Sequence, residues 1–325
     1  MKATERHPLD SALGEASRGP AQKGYPGQDW GPARIGGPAP NGRVDQTAKA
    51  IMLQTEDTDQ MTGTQQTIPA VALGRTNVLG VGVSAVNMET ALARIASWIS
   101  TREKHFVCVT GVHGVMESQS DPELKAIHNA AGMVTPDGMP MVWLSRMAGA
   151  HHVDRVYGPD LMLELCRVSI QNGYRHFFYG GAQGIADLLA ARLSAQFPGL
   201  KVAGTWTPPF RPLTEAEDRE LVSSINALGP DIVWVGLSTP KQERFMAAHV
   251  GRLDAPVMIG VGAAFDFHAG LKKQAPLWMR RSGLEWVFRL FTEPKRLWRR
   301  YLTNNPKFVA FVLAQKLGLR RFDME

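Results

Sequence analysis

The sequence has few cysteines, no long apolar run and no secretory leader pattern, and each shortage excludes a class of protein. Cys108 and Cys166 are the only cysteines in 325 residues, which excludes a disulfide framework and a paired-cysteine zinc or redox site. No run of about 18 apolar residues is present, and the opening "MKATERHPLDSALG" lacks the apolar core of a signal peptide. We therefore expect a cytoplasmic protein that does not span a membrane.

Several motifs for cofactors and metals are also missing. No glycine cluster has the GxGxxG spacing of a dinucleotide site, and no predicted strand-end loop carries an Asp-x-Asp pair for a divalent ion. His151 and His152 are adjacent but have no cysteine or carboxylate at ligand spacing, while Cys108 lies in an apolar run typical of an inert, buried thiol. The sequence thus predicts no metal and no cofactor.

Positive charge is concentrated at the C-terminal end. The formal net charge is +6, and residues 271–325 hold 13 Lys or Arg against 4 Asp or Glu, so the remaining residues sum to −3. Such a patch suits nucleic acid, anionic lipid or a phosphorylated ligand, and charge alone does not choose among them.

Composition and periodicity divide the chain into three parts. Residues 1–74 are polar and rich in glycine and proline, which predicts a disordered extension; residues 75–275 form the predicted α/β domain, and residues 276–325 a basic amphipathic appendage. Helix-period segments near 88–101, 118–131, 139–148, 159–171, 183–196, 214–227 and 240–250 alternate with predicted strands at 105–112, 175–180, 201–206, 231–237 and 256–263. This alternation predicts a largely parallel, helix-covered, Rossmann-like sheet with a basic helical appendage.

Glycines lie at the carboxyl ends of these strands, where α/β sheets bind ligands, and one acidic turn lies between two apolar runs. Such glycines let backbone amides approach phosphate, although βα turns also need glycine for the fold alone. In "VTPDGMPMVW", Asp137 is either a turn former between Pro136 and Gly138 or a carboxylate presented for chemistry. The glycines in question are Gly180, Gly181, Gly236 and Gly262.

The sequence resembles the WecG/TagA/CpsF family of bacterial glycosyltransferases. The resemblance covers roughly residues 78–302 and rests on "VTPDGMPMVW", "VYGPDLM", "FFYGG", "VGLSTPKQERF", "GVGAAFDFHAG" and "QAPLWMRRSGLEWVFRLFTEPKRLWRRYL". It implies an inverting, metal-independent enzyme that moves a sugar from a UDP donor to a polyprenyl-diphosphate-linked acceptor in exopolysaccharide or cell-surface polysaccharide synthesis. It also implies a peripheral location on the inner face of the cell membrane.

The resemblance assigns roles to particular residues. Asp137 is the implied general base, and Arg289, Arg296 and Arg299 would close over the donor, whose diphosphate gains negative charge as it leaves. Thr110 and Gln242 would hydrogen-bond the sugar or diphosphate. Asp266 is either a sugar or ribose ligand or a helix N-cap.

One departure concerns the segment "VTGVHGVM". Many members of the family carry a Thr-x-Asn sequence here, whereas Val112 or Gly111 occupies the asparagine position and His113 follows. His113 either replaces that polar contact to the sugar or is a structural histidine with its own partners. The donor sugar stays open among N-acetylmannosamine, glucose and related uronic acids.

Two other functions compete with the glycosyltransferase: a nucleic-acid-binding protein that uses the basic tail, and an NAD-type oxidoreductase. The first gives no reason for Asp137 or the "TPKQE" sequence, and the second lacks the GxGxxG fingerprint, so the leading hypothesis expects no nucleic-acid partner. The aromatic and basic tail predicts contact with an anionic membrane surface, or else a helix that docks its aromatics into the core; Pro294 prevents one unbroken helix. A homo-oligomer is compatible with all of these readings.

Overall fold

The computed structural model describes residues 73–324, so the predicted disorder of residues 1–74 falls almost entirely outside the described residues. The described chain opens with a hairpin of β1 (Arg75–Val78) and β2 (Val81–Ser84). A parallel sheet then follows in the order β4-β3-β8-β7-β5-β6. Its strands are β3 (His105–Thr110), β4 (Met133–Pro136), β5 (Arg175–Gly180), β6 (Lys201–Trp206), β7 (Ile232–Gly236) and β8 (Val257–Gly260).

Helices connect the strands and cover both faces of the sheet. They are α1 (Met88–Thr101), α2 (Val112–Glu117), α3 (Pro122–Ala130), α4 (Met139–Met147), α5 (Gly158–Asn172), α6 (Ile185–Gln196), α7 (Glu215–Leu228), α8 (Lys241–His249), α9 (Ala264–His268), α10 (Leu277–Arg281), α11 (Glu285–Thr292) and α12 (Pro294–Lys316). The predicted Rossmann-like α/β fold with a helical C-terminal segment is confirmed.

Alternating side chains of the strands form two buried clusters, one on each face. Trp234 of β7 lies in the cluster beneath α1, α5 and α6, whereas its neighbours Val233 and Val235 lie in the opposite cluster with residues of α7 and α8. This alternation follows from the two-residue period of a strand. Because both faces are buried, the strands read as the short apolar runs from which they were predicted.

The five predicted strands are confirmed, but the sequence did not reveal β1, β2 or β4. β4 has only four residues and ends in Pro136, a residue that a sheet tolerates at an edge strand such as this one. The Ser84 hydroxyl accepts a hydrogen bond from the Val134 amide at 3.0 Å, so the hairpin covers this edge. The first predicted strand, 105–112, was also too long, because β3 ends at Thr110 and α2 begins at Val112.

The C-terminal segment packs on the domain through some apolar side chains and leaves other, large aromatics exposed. Leu297 and Phe308 of α12 are buried, whereas Phe291 is 80% exposed and Trp278 64%. The alternative in which the tail docks its aromatics into the core is therefore wrong for these two residues. As predicted, Pro294 separates two helices, because α11 ends at Thr292 and α12 begins at the proline.

The end of α12 is fixed to the hairpin by side-chain hydrogen bonds. The Gln315 side chain accepts from the Leu79 amide at 3.2 Å and donates to the Asn77 carbonyl at 3.3 Å, and the Asn77 amide donates to the Phe322 carbonyl at 2.6 Å. These contacts join the two ends of the described chain. The predicted domain boundary at residue 275 stays a prediction.

A neutral histidine is built into the core. The indole N–H of Trp234 donates to Nδ1 of His176 at 2.9 Å, which leaves the proton of the neutral ring on Nε2 to donate to the Ser169 hydroxyl at 2.8 Å. Ser169 in turn donates to the Leu165 carbonyl at 2.5 Å. Burial lowers the pKa of His176 to about 4 from 6.5, since no carboxylate is present in this chain of donors to stabilise the charged ring.

We expect this histidine to make folding sensitive to mild acid. The folded state favours the neutral ring, so its contribution is complete above about pH 6.5 and is lost as the pH falls through about 4. The loss amounts to about 3 kcal/mol of unfolding free energy. Urea denaturation from pH 7 to pH 4 measures it. His176→Gln should flatten the pH dependence, and the exposed-site control His151→Gln should not; equal slopes in all three proteins would contradict this assignment.

Candidate active site

A cavity of about 990 Å³ lies at the carboxyl edge of the sheet. The segments that follow β3, β4, β7 and β8 form its floor, while α10, α11 and α12 contribute its other walls. This edge is where parallel α/β sheets bind ligands, and the volume suits a sugar nucleotide. The C-terminal segment is therefore part of the site and not a separate module beside it.

Asp137 joins β4 to α4 at the floor of this cavity. Its amide donates to the Thr110 carbonyl at 3.1 Å, and its Oδ1 accepts from the amide of Gly158 at 3.3 Å. Gly158 is the first residue of α5, so the carboxylate lies at a helix N-terminus, where a negative charge is stabilised. The Pro-Asp-Gly segment thus connects a strand to a helix and holds the carboxylate at the cavity.

The groups around Asp137 shift its pKa in opposite directions. Burial raises the pKa of the Asp137 carboxyl, the positive charge of Arg155 lowers it, and the negative charge of Glu285 raises it again. The net direction is upward from the ordinary value of 3.8. A carboxylate with raised proton affinity is a better proton acceptor than a free one, provided that it is ionised at the working pH.

Arg155 ties the C-terminal segment to the turn that carries Asp137. Its Nε donates to the Asp137 carbonyl, its Nη1 to the Arg280 carbonyl at 3.1 Å, and its Nη2 to Glu285 Oε2 at 2.5 Å. The guanidinium also lies 4.1 Å from the centroid of the Tyr157 ring, whose hydroxyl donates to Glu285 Oε1 at 3.2 Å. Both charged side chains of this ion pair are largely buried.

Cationic side chains from α11 and α12 line another wall. Arg289, Arg296 and Arg300 belong to the cavity lining, and Arg289 Nε is buried without a hydrogen-bond partner. Burial and the nearby Arg296 charge lower the pKa of Arg300, as expected where cations are crowded together. This arrangement can bind a diphosphate.

Arg299 lies outside the lining, unlike its two predicted partners. Its guanidinium lies 5.2 Å from the ring centroid of Trp298. Arg296 and Arg300, which lie four residues apart on α12, both line the cavity. The role that the resemblance implies for Arg299 stays a prediction.

Buried polar atoms without partners are concentrated here. Of ten such side-chain atoms in residues 73–324, six belong to cavity-lining residues, namely Thr110, His113, Gln242, Arg280 and Arg289. Gln242 Nε2 donates to Glu243 Oε1 at 3.0 Å, which leaves its Oε1 as the unpartnered acceptor. Buried groups of this kind ordinarily have partners, so the concentration indicates that a polar ligand supplies them.

The structure bears on the two alternatives that the sequence left open for His113 and Asp266. Neither ring nitrogen of His113 makes a hydrogen bond, although Nδ1 lies 3.4 Å from Glu117 Oε1, so its role in sugar contact stays a prediction. Burial together with Arg300 and Arg289 lowers its pKa to about 3, which keeps the ring neutral. Asp266 lies inside α9, whose N-cap is Ala263, so the N-cap reading is wrong. Its carboxylate is 2.7 Å from Lys272 Nζ.

Among the strand-end glycines, Gly181, Gly236 and Gly262 line the cavity, whereas Gly180 does not. Gly180 and Gly236 face one another across β5 and β7. A Cβ at Gly236 would lie 2.4 Å from the Phe265 ring, and one at Gly180 would lie 2.7 Å from the Gly236 backbone. Packing therefore explains both of these glycines without a ligand.

Several polar lining residues were not predicted from the sequence, among them Arg155, Tyr157, Arg280, Glu285 and Arg300. Tyr157, Arg280, Glu285 and Arg300 all lie within stretches that carry the family resemblance, and Arg155 lies just before one of them. Helical spacing from Arg296 points to both Arg299 and Arg300 and does not choose between them. Within the described part of the chain, no three His, Cys, Asp or Glu side chains group as a metal site requires.

The fold and the cavity define an α/β protein of the Rossmann-like class with an arginine-lined cavity at the carboxyl edge of its sheet. The family model described as "Glycosyl transferase WecG/TagA/CpsF family" matches residues 76–322. The chain belongs to this glycosyl transferase family. That membership favours neither the nucleic-acid-binding nor the oxidoreductase alternative.

Curated relatives carry one shared name, N-acetylglucosaminyldiphosphoundecaprenol N-acetyl-beta-D-mannosaminyltransferase. The protein of Bacillus spizizenii is 34% identical over 197 residues, which cover 61% of this chain and 74% of that one. The protein of Bacillus subtilis is 30% identical over 247 residues, which cover 73% and 93%. The Staphylococcus aureus protein is 24% identical over 249 residues, which cover 76% and 95%.

The charges around Asp137 predict opposite shifts in the pH dependence of activity. Arg155→Gln removes a charge that lowers the pKa of Asp137, so the acid limb of kcat/KM should move up by about one pH unit. Glu285→Gln removes a charge that raises this pKa and should move the limb down. Arg155→Lys keeps the charge and is the matched control. Shifts of both Gln variants in the same direction would contradict the electrostatic role of this pair.

Proposed function

We propose that this protein is an inverting transferase that moves a sugar from a UDP donor to a polyprenyl-diphosphate-linked saccharide. The observation that carries the proposal is the cavity in which Asp137, unpartnered polar atoms and clustered arginines meet. The relatives are named for transfer of N-acetylmannosamine to a diphosphoundecaprenol-linked sugar, which supports this acceptor class and favours that donor sugar. Exopolysaccharide or cell-surface polysaccharide synthesis is the corresponding role.

In the proposed reaction, Asp137 acts as the general base. An acceptor hydroxyl attacks the anomeric carbon opposite the departing UDP, and the carboxylate takes the hydroxyl proton as the new C–O bond forms. The bond from the anomeric carbon to the diphosphate breaks, and its electron pair leaves with UDP. The configuration at the anomeric carbon is therefore inverted.

The arginines stabilise the leaving group in this scheme. Charge develops on the diphosphate as the bond breaks, and guanidinium groups bind it with paired hydrogen bonds. We assign this role to Arg289, Arg296 and the predicted Arg299, and add Arg300 because it lines the cavity. No metal ion is required in the proposed scheme.

Neutral side chains are proposed to hold the sugar. Thr110, His113 and Gln242 each present an unpartnered atom in the lining, and none carries charge when His113 is unprotonated. Hydroxyl groups of a sugar can donate to or accept from all three. Asp266 is proposed to contact a sugar or ribose hydroxyl beside Lys272.

The proposed location is the cytoplasmic face of the cell membrane. No helix among residues 73–324 is both long and apolar enough to cross a bilayer. Exposed aromatics accompany the basic residues of α10 to α12, a mixture suited to the headgroup region of an anionic surface. Such contact would bring the cavity to a membrane-embedded acceptor.

The proposed base is tested by Asp137→Asn. This change keeps the size of the side chain but removes its proton affinity, so turnover should fall roughly 10²- to 10⁴-fold. Turnover is measured as sugar transfer from UDP-N-acetylmannosamine, and NMR of the product gives the anomeric configuration. UDP binding measured by calorimetry should survive.

The distant carboxylate variant Asp254→Asn, which removes a surface ion pair with Lys104, serves as the control. Its turnover should match that of the wild type. Near-wild-type turnover of Asp137→Asn would return Asp137 to a purely structural role, and a product of retained configuration would refute the proposed reaction.

The membrane contact is tested by the double variant Trp278→Glu/Phe291→Glu. Two exposed apolar groups become acidic, so sedimentation with phosphatidylglycerol vesicles should fall about tenfold or more. Phe210→Glu alters a side chain that is 97% exposed but lies outside the C-terminal segment, and it should sediment like the wild type. Unchanged sedimentation of the double variant would show that this face does not bind the membrane.

A further inference from the structure

The face of α12 that lines the cavity changes in chemistry along its length. Cations come first, then a tyrosine and two amides, and then only apolar side chains. The first step is four residues and the later steps alternate between one and three, which keeps all of them on one face of the helix. In order they are Arg296, Arg300, Tyr301, Asn304, Asn305, Phe308, Val309, Val312 and Leu313. At 1.5 Å per residue this face is about 25 Å long.

The face of α4 that lines the cavity is apolar throughout. It begins two residues after Asp137 and runs away from the site with the same helical spacing, through Met139, Pro140, Trp143, Leu144 and Met147. The turn at Gly283, between α10 and α11, lies on the Trp143 ring, since a Cβ built at that glycine would be 2.8 Å from it. The two faces define one groove, here called the α4–α12 groove.

The groove is open to solvent at its apolar end. Met147 is 68% exposed and Val309 is 58% exposed, whereas Phe308 is buried beneath them in a core cluster. Neighbouring Leu144 and Val312 pack against the same cluster. The floor is thus part of the folded core, while the rim presents apolar side chains that no residue in the described chain covers.

We propose that the α4–α12 groove binds the first isoprene units of the acceptor's polyprenyl chain. The inference rests on the proposed function and adds a lipid subsite to it. The molecule that fits is an amphiphile whose anionic diphosphate lies near the arginines and whose apolar chain extends along the groove beyond them. The acceptor named for the relatives, a sugar on diphosphoundecaprenol, has both features in this order.

The change from cationic to apolar side chains along α12 distinguishes a polyprenyl diphosphate from other occupants of the groove. A second copy of the chain would need a complementary surface and would not require a groove that begins at Asp137. A bilayer acyl chain would satisfy the apolar end, but it would not require continuity with the arginines and amides of the same helix face. Both alternatives are decided by the experiment below.

The test uses two water-soluble acceptors without vesicles or detergent. Both carry N-acetylglucosamine diphosphate, one on a two-isoprene alcohol and the other on methanol. Each buried methylene contributes roughly 0.8 kcal/mol, so the wild type should show a KM at least about tenfold lower for the isoprenoid acceptor. Met147→Glu and Val309→Glu should abolish that preference and leave the KM for UDP-N-acetylmannosamine and for the methyl acceptor unchanged.

Phe210→Glu is the matched control, because it also places a carboxylate at an exposed apolar position but lies far from α4 and α12 in sequence. It should keep the wild-type preference. Equal KM values for the two acceptors in the wild type would refute the lipid subsite alone. The lipid subsite would also be refuted if the groove variants raised the KM values for both acceptors together. The same holds if their only effect were to abolish self-association measured by sedimentation velocity. Absence of transfer to either acceptor would refute the proposed function and this subsite with it.

Discussion

The buried ion pair between Arg155 and Glu285 determines how the rest of the site is arranged. Arg155 follows α4 in the chain and Glu285 begins α11, so the pair joins the sheet domain to the C-terminal segment. A buried charge without its partner is strongly destabilising, so the ion pair stabilises α10 and α11 in their place beside the cavity. The same guanidinium donates to the backbone of Asp137, and the position of these helices is thereby coupled to that of the carboxylate.

The parallel sheet supplies the other half of the arrangement. Thr110, Asp137 and Asp266 are separated by up to 156 positions, yet each follows or ends a strand whose carboxyl end lies at one edge. Parallel strands necessarily direct their carboxyl ends the same way, so short connections bring distant residues together. Rigid elements flank each of them, as active-site precision requires.

The two parts of the chain that form the cavity, the sheet edge and the C-terminal helices, contribute different charges to it. The sheet edge provides neutral polar groups and the carboxylates of Asp137 and Asp266, whereas α10, α11 and α12 provide four of the five lining arginines. His113 belongs to the first group because burial and the nearby cations keep it neutral. A site with cations on one wall and neutral hydrogen-bonding groups on the floor suits a ligand that has an anionic part and an uncharged polar part.

The sequence by itself determined the fold class, because strands buried on both faces appear as apolar runs and the helices between them have their own period. The Pro-Asp-Gly pattern by itself left Asp137 open between a turn former and a presented carboxylate, and only the family resemblance implied a base. Only the tertiary structure selected Arg300 beside Arg296, paired Arg155 with Glu285 and revealed the short edge strand β4. These features depend on which face of a helix meets the sheet edge and on contacts across 130 positions of sequence, and local pattern carries neither kind of information.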